Sequence, residues 1–105
     1  MMLVREVFHC KPGKVRALVE KFMEMNKLQE KAGMGKLRLL TDFCGPKYWT
    51  LVAEMEVSSL KSFEDMMSGV GMDEATGKEF ERVMKGYHDL VETGHREIYK
   101  IEADA

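Results

Sequence analysis

The stretch "KYWTLVAEMEV", Lys47 to Val57, limits the possible folds more than any other. Trp49, Leu51, Ala53, Met55 and Val57 alternate with Tyr48, Thr50, Val52, Glu54 and Glu56. A strict period of two is the mark of a strand with one buried face. Upstream, "KLRLLTDFC" (36–44) is a second strand. One of its faces carries Leu37, Leu39, Thr41 and Phe43. Gly45-Pro46-Lys47 supplies the turn. An odd number of turn residues brings the two apolar faces to the same side of the hairpin. A one-residue slip would put them on opposite sides, so burial selects the odd count.

The rest of the chain arranges itself around this hairpin. "MLVREVFHC" (Met2–Cys10) is a strand stopped by Pro12 and Gly13. Val15, Leu18, Val19, Phe22 and Met25 recur at helical spacing, and Gly33 and Gly35 end that helix. After the hairpin, Ser58 and Ser59 offer an N-cap to a short helix carrying Leu60, Phe63, Met66 and Met67. "SGVGMDEATG" interrupts it. Phe80, Val83, Met84, Tyr87 and Val91 form a longer helix closed by Gly94, and "HREIYKIEA" (95–103) is the last strand. The order β-α-β-β-α-β predicts a ferredoxin-like α+β domain over residues 1–105: an antiparallel sheet of order 4-1-3-2 with both long helices on one face. In that topology nothing covers the other sheet face, which holds Tyr48, Thr50, Val52 and Leu40. A bare face with aromatic and branched residues predicts a partner, here a second copy of the chain.

Composition excludes several classes. With 16 basic and 18 acidic residues the net charge is −2, which speaks against nucleic-acid binding through bulk charge. No apolar run reaches the roughly 20 residues of a membrane helix, and "MMLVREVF" has charges too early for a signal peptide. A cytoplasmic protein is expected. Cys10 and Cys44 fit no metal pattern. Their strands are separated by a third, roughly 9.6 Å by strand spacing, whereas a disulfide needs Cα atoms within about 7 Å. They are expected to be free thiols. No H-x-H or H-E-x-x-H spacing exists, so no metal is expected. "GVGMDEATG" lacks the preceding strand and third glycine of a dinucleotide loop, and no cofactor is expected.

The element order, the "KPGK" after the first strand, the "SSLKSFE" entry to the second helical region and the terminal "HREIYKI" together resemble the dimeric α/β-barrel superfamily. Antibiotic-biosynthesis-type monooxygenases and NIPSNAP-like proteins belong to it. The resemblance spans essentially the whole chain. It implies a homodimer whose two sheets face each other, and a ligand cleft between sheet and helices in each subunit. Members range from cofactor-free oxygenases and haem-degrading enzymes to proteins of unknown role. The haem-degrading branch carries an Asn on the first strand with a Trp and a helical His. "MLVREVFHC" has no Asn, although His88 lies on the expected helix.

Topology predicts that all three histidines gather at one end of the domain, beside Trp49 and the start of the first helix. His9 and His88 are therefore the candidates for proton transfer, since an imidazole titrates near neutral pH. Trp49, Phe22, Met84 and Tyr87 would wall an apolar cleft for a small apolar or aromatic ligand, with His95 at its edge. His88 lies roughly 100° from the centre of its helix's apolar stripe, so a solvated flank is the competing reading. Two functions stay open: a cofactor-independent monooxygenase acting on an aromatic small molecule, and a non-catalytic ligand-binding or stress-associated module.

Overall fold

The computed structural model describes residues 1–104. Strand β1 (Met2–Cys10) leads into helix α1 (Val15–Lys31), then β2 (Arg38–Thr41), β3 (Thr50–Val57), α2 (Leu60–Met67), α3 (Glu74–Met84), a 3-10 turn (Tyr87–Leu90) and β4 (Val91–Lys100). The four strands form one antiparallel sheet in the order β2-β3-β1-β4. This is the ferredoxin-like arrangement expected from the sequence, with the short helix expected after the hairpin present as α2.

The hairpin register is the one that burial selects. Leu39 pairs with Ala53 and Thr41 with Leu51, so the apolar faces of β2 and β3 coincide beneath the helices. The strands are shorter than expected, however. Pairing stops at Thr41 and Thr50, and Asp42 to Trp49 form a loop. Phe43 projects fully into solvent instead of continuing the buried face. The loop is tied by Asp42, whose carboxylate accepts from the Thr50 amide at 2.8 Å. Trp49 adopts φ 60°, a left-handed conformation costly for a bulky side chain. Its carbonyl accepts from the Cys10 amide at 2.8 Å, which joins the loop to the end of β1.

Leu18 and Leu51 have no accessible surface, and with Cys10, Val19, Phe22 and Ala53 they form the main core. A second cluster, Val4, Val57 and Phe63, lies under α2. Ser59 caps α2 by accepting from the Ser62 amide, and Asp73 caps α3 by accepting from the Thr76 amide at 2.7 Å. Lys21 donates to the Val83 and Lys85 carbonyls at 3.4 and 2.8 Å. It thus satisfies the open end of α3 and fastens that helix to α1. Asn26 makes two hydrogen bonds with the backbone of Leu37, 2.9 Å to its carbonyl and 2.8 Å from its amide.

The sequence periodicity over 80–91 misleads at its end. The helix stops at Met84, and Gly86, at φ 84°, turns the chain in a conformation open chiefly to glycine. Val91 already pairs with Cys10, and Gly94 lies inside β4 opposite Phe8. Gly94 is therefore a strand residue and closes no helix. The reason is tertiary: β1 is a central strand whose second edge needs a partner, and extending β4 backward supplies its hydrogen bonds. A β-carbon on Gly94 would lie 3.2 Å from the Val7 carbonyl oxygen and 3.5 Å from Phe8 Cδ1. Gly94→Val should therefore destabilise the fold by about 2 kcal/mol through overpacking, although valine normally favours strands. Chemical denaturation would measure it; a neutral or stabilising result would mean that Phe8 yields without cost.

Cys10 is buried and Cys44 exposed, and both are free. Burial, with the Asp42 carboxylate adding to it, pushes the Cys10 thiol up from its ordinary value. Among the described residues no helix is long and apolar enough to cross a membrane.

Candidate functional site

The alternation of β1 sorts its side chains between two different environments. Val4, Glu6 and Phe8 point toward the helices, and Arg5 and His9 toward the bare face. On β4, Gly94, Arg96 and Ile98 pair with Phe8, Glu6 and Val4, while His95 and Glu97 share the bare face with Arg5 and His9.

On the helix side a cleft of about 290 Å³ runs between the sheet and the helices. Its size is near the lower end of small-molecule sites. One wall is aromatic: the Phe8 ring lies 5.4 Å from that of Phe22 and 6.4 Å, edge to face, from that of Tyr87. Met25, Met55, Met66, Met67 and Met84 supply much of the remainder. These unbranched, polarisable side chains adapt to irregular shapes. Three polar residues also line it. Glu6 and Arg96 are ion-paired across β1 and β4, and the Arg96 guanidinium sits 5.0 Å over the Phe63 ring. Gln29, on α1, is only 7% exposed, and its Oε1 is sealed from water with no hydrogen-bond partner. A wider depression of about 640 Å³ between the end of α1 and the α2–α3 loop is lined by more polar residues, among them Lys31, Asp65 and Asp73. It lacks a comparable apolar wall.

The expected site residues divide between these environments. Phe22, Met84 and Tyr87 line the cleft. Trp49 does not; it lines a separate depression with Val15, Arg16, Thr41, Asp42 and Tyr48, because the hairpin loop carries it off the end of β3. The expectation of a histidine in the cleft is also corrected. His88 is exposed on the 3-10 turn and stacks on Tyr87, ring centroids 4.0 Å apart. His9 and His95 do come together, at 6.0 Å between ring centroids, but on the bare face of the sheet. Odd positions of β1 and the matching positions of β4 face away from the helices, which puts both rings outside the cleft. The polar lining residues Gln29, Glu6 and Arg96 were not among the expected site residues. The available signal was Gln29's place on the stripe Leu18, Phe22, Met25, where an apolar residue would be ordinary.

The bare face carries a connected polar network across all four strands. Glu54, only 6% exposed, pairs with Arg38 and lies 3.4 Å from Arg5 Nε. Arg5 Nη1 donates to Glu97 at 3.2 Å, and His95 Nε2 and the Tyr99 hydroxyl also donate to Glu97, at 2.8 and 3.1 Å. These donors, His95 first, hold the Glu97 carboxyl below its ordinary range. The Thr50 hydroxyl donates to the Lys47 carbonyl at 3.0 Å, so its oxygen accepts from His9 Nδ1 at 3.2 Å.

Burial, then the positive charge of Lys47 and the neighbouring His95, lower the His9 imidazole below its usual value. The sign follows from linkage. The unfolded chain protonates His9 near pH 6.5 while the folded chain resists, so stability falls as pH drops below that value and levels off below the folded pKa. Proton NMR should show His9 titrating below 6.5, and His9→Asn should flatten that part of the stability curve. A His9 titration at or above the ordinary value would contradict this.

Sequence comparison finds no match, either to a family model or to a curated protein. Structural comparison does. A NIPSNAP-like domain protein from Burkholderia xenovorans superposes with a TM-score of 0.73 at 16% identity, over 99% of this chain and 88% of the other. A NIPSNAP family protein of unknown function from Agrobacterium tumefaciens gives 0.68 at 20% identity, over 93% and 85%. A candidate antibiotic biosynthesis monooxygenase from Nitrosomonas europaea gives 0.64 at 16% identity, over 98% and 100%. The chain has their fold. At these identities the likeness carries the arrangement of strands and helices, and the chemistry must be argued from the residues.

Proposed function

We propose that this protein binds an uncharged, largely apolar small molecule in the cleft between sheet and helices, and that it works in the cytoplasm as a homodimer. The observation that carries the reading is the cleft itself: an apolar cavity of about 290 Å³ in a domain small enough to have closed it. Open clefts walled by apolar and aromatic side chains with a few polar groups are the usual form of small-molecule sites. The test is fluorescence of N-phenyl-1-naphthylamine, a neutral apolar probe. A saturable rise is expected, and Met84→Trp, which puts an indole into the cleft, should abolish it while leaving the fold intact. No saturable rise, or unchanged binding by the variant, would reject the cleft as the site.

The homodimer is supported by the bare sheet face. Leu40 and Tyr99 are exposed there beside the arginine–glutamate network. Sedimentation at micromolar concentration should give about twice the 12.1 kDa chain mass; a clean monomer would reject it.

A second reading, a cofactor-independent monooxygenase acting on an aromatic substrate, draws support from the description of the Nitrosomonas neighbour. Such chemistry needs a group that takes a proton from the bound substrate. Glu6 is the carboxylate lining the cleft, and it is held by Arg96, while His9 and His88 lie outside. The binding reading is therefore preferred. Dioxygen consumption with a panel of hydroxyquinones would reverse that preference, and a panel including haem that gives no spectral change would leave binding alone.

A further inference from the structure

We infer that Gln29 reads a hydrogen-bond donor on the ligand, and that the ligand is an uncharged aromatic carrying a hydroxyl, of the phenol or naphthol class. This rests on the reading of the cleft as a small-molecule site and specifies what that site selects.

Gln29 continues the inward stripe of α1 after Leu18, Phe22 and Met25, one helical turn beyond Met25. An apolar residue at this position would complete the core. Instead a carboxamide is buried, and its Oε1 has neither water nor a protein donor. Buried polar atoms without partners are rare, because each loses its hydration without replacement. Met25, Met66 and Met67 line the same cleft. Their flexible side chains are the ones that could move aside for a ligand to reach the amide. The backbone nearby is firm, since Asn26 clasps Leu37 through both its carbonyl and its amide. A rigid frame with soft side chains around one unsatisfied acceptor is how a pocket recognises a donor.

Charge narrows the ligand further. Glu6 and Arg96 face the cleft and neutralise each other. An anion would have to displace Glu6 from Arg96, and a cation Arg96 from Glu6, so an ionic ligand gains little. A neutral ring system satisfies the aromatic wall of Phe8, Phe22 and Tyr87, and a single O–H satisfies Gln29.

The experiment is displacement of N-phenyl-1-naphthylamine by 1-naphthol and by 1-methoxynaphthalene, which keeps the rings and oxygen but has no donor. The wild-type chain should prefer 1-naphthol about tenfold, the worth of one buried hydrogen bond. Gln29→Met, similar in length and apolar, should bring the ratio to about one and raise the melting temperature of the unliganded protein, since it removes the orphaned acceptor. Equal binding of the two compounds by the wild type, or a preference that survives in Gln29→Met, would overturn the assignment. A lowered melting temperature in a folded variant would also overturn it, by showing that Gln29 serves the fold. If the variant does not fold, the wild-type comparison of the two compounds decides alone. Failure of the fluorescent probe to bind would sink the cleft reading itself; probe binding without hydroxyl preference would sink only this inference.

Discussion

Leu51→Ala should destabilise the protein by about 3 kcal/mol, the usual cost of truncating a fully buried leucine. Leu51 is 0% exposed and packs with Cys10, Leu18, Val19, Phe22 and Ala53. Its pairing partners Phe8 and Thr41 hold the backbone on both sides, so the space left by the side chain cannot close by strand movement. For a domain of this size the loss corresponds to a fall in melting temperature of about 15 °C. Leu40→Ala is the contrast. Leu40 is also a strand leucine, but it faces the bare side and is 40% exposed. Its truncation in the monomer should cost less than about 1 kcal/mol. Equal effects at the two positions, measured by denaturant melts at low protein concentration, would show that the sheet faces are assigned the wrong way round.

The second large effect concerns Glu54. Glu54→Ala should cost about 2 kcal/mol, chiefly because it removes the anion facing Arg5. Arg5 Nε is sealed from water, and the Glu54 carboxylate 3.4 Å away is poorly aligned for a hydrogen bond but neutralises its charge. Arg5 keeps Glu97 through Nη1, which limits the loss. Arg38 also pairs with Glu54, yet its side chain is largely exposed. Arg38→Ala should therefore cost no more than about 1 kcal/mol, the ordinary worth of a solvated ion pair. The double change Arg5→Met with Glu54→Leu should recover most of the stability, since the buried pair goes together while Arg38 is solvated and Glu97 keeps its His95 and Tyr99 donors. If Glu54→Ala and Arg38→Ala prove equally mild, the network is a solvated surface feature and adds nothing to the sheet.

Leu51 and Leu40 also show what can be read from the chain alone. Both lie in strand-forming runs, and composition does not distinguish them. The alternation across "KYWTLVAEMEV" and the parity of its turn do, because side chains on a strand alternate strictly and only one register buries both apolar faces. For the same reason the limits of β1, the helix-covered face of β3 and the strand order could be anticipated from local pattern and chain topology. Glu6 pairs with Arg96 and Glu97 with Arg5, each across the β1–β4 ladder.

Other features depended on contacts between distant segments. The helical periodicity through Tyr87 and Val91 runs past the true end of α3, since that end is decided by Gly86 and by β1's need for a partner along its free edge. Trp49 fits the strand pattern and still leaves it, because the loop from Asp42 to Trp49 gives up pairing and carries the indole away from the cleft. His9, near the end of β1, and His88, on the turn before β4, lie toward the expected end, but β4 begins at Val91 and His95 therefore sits mid-strand opposite Val7. Nor does position along a strand say on which side of the sheet a ring falls. His9 and His95 share the bare face and His88 faces solvent. Gln29, Glu6 and Arg96 line the cleft although they are far apart in sequence, and no local pattern marks them as a group. Local pattern by itself determined which segments are strands and helices and how the hairpin is aligned, because those depend on backbone periodicity and neighbouring side chains. Only the tertiary structure decided where the cleft lies and which polar groups enter it, because those depend on which faces of separate elements meet.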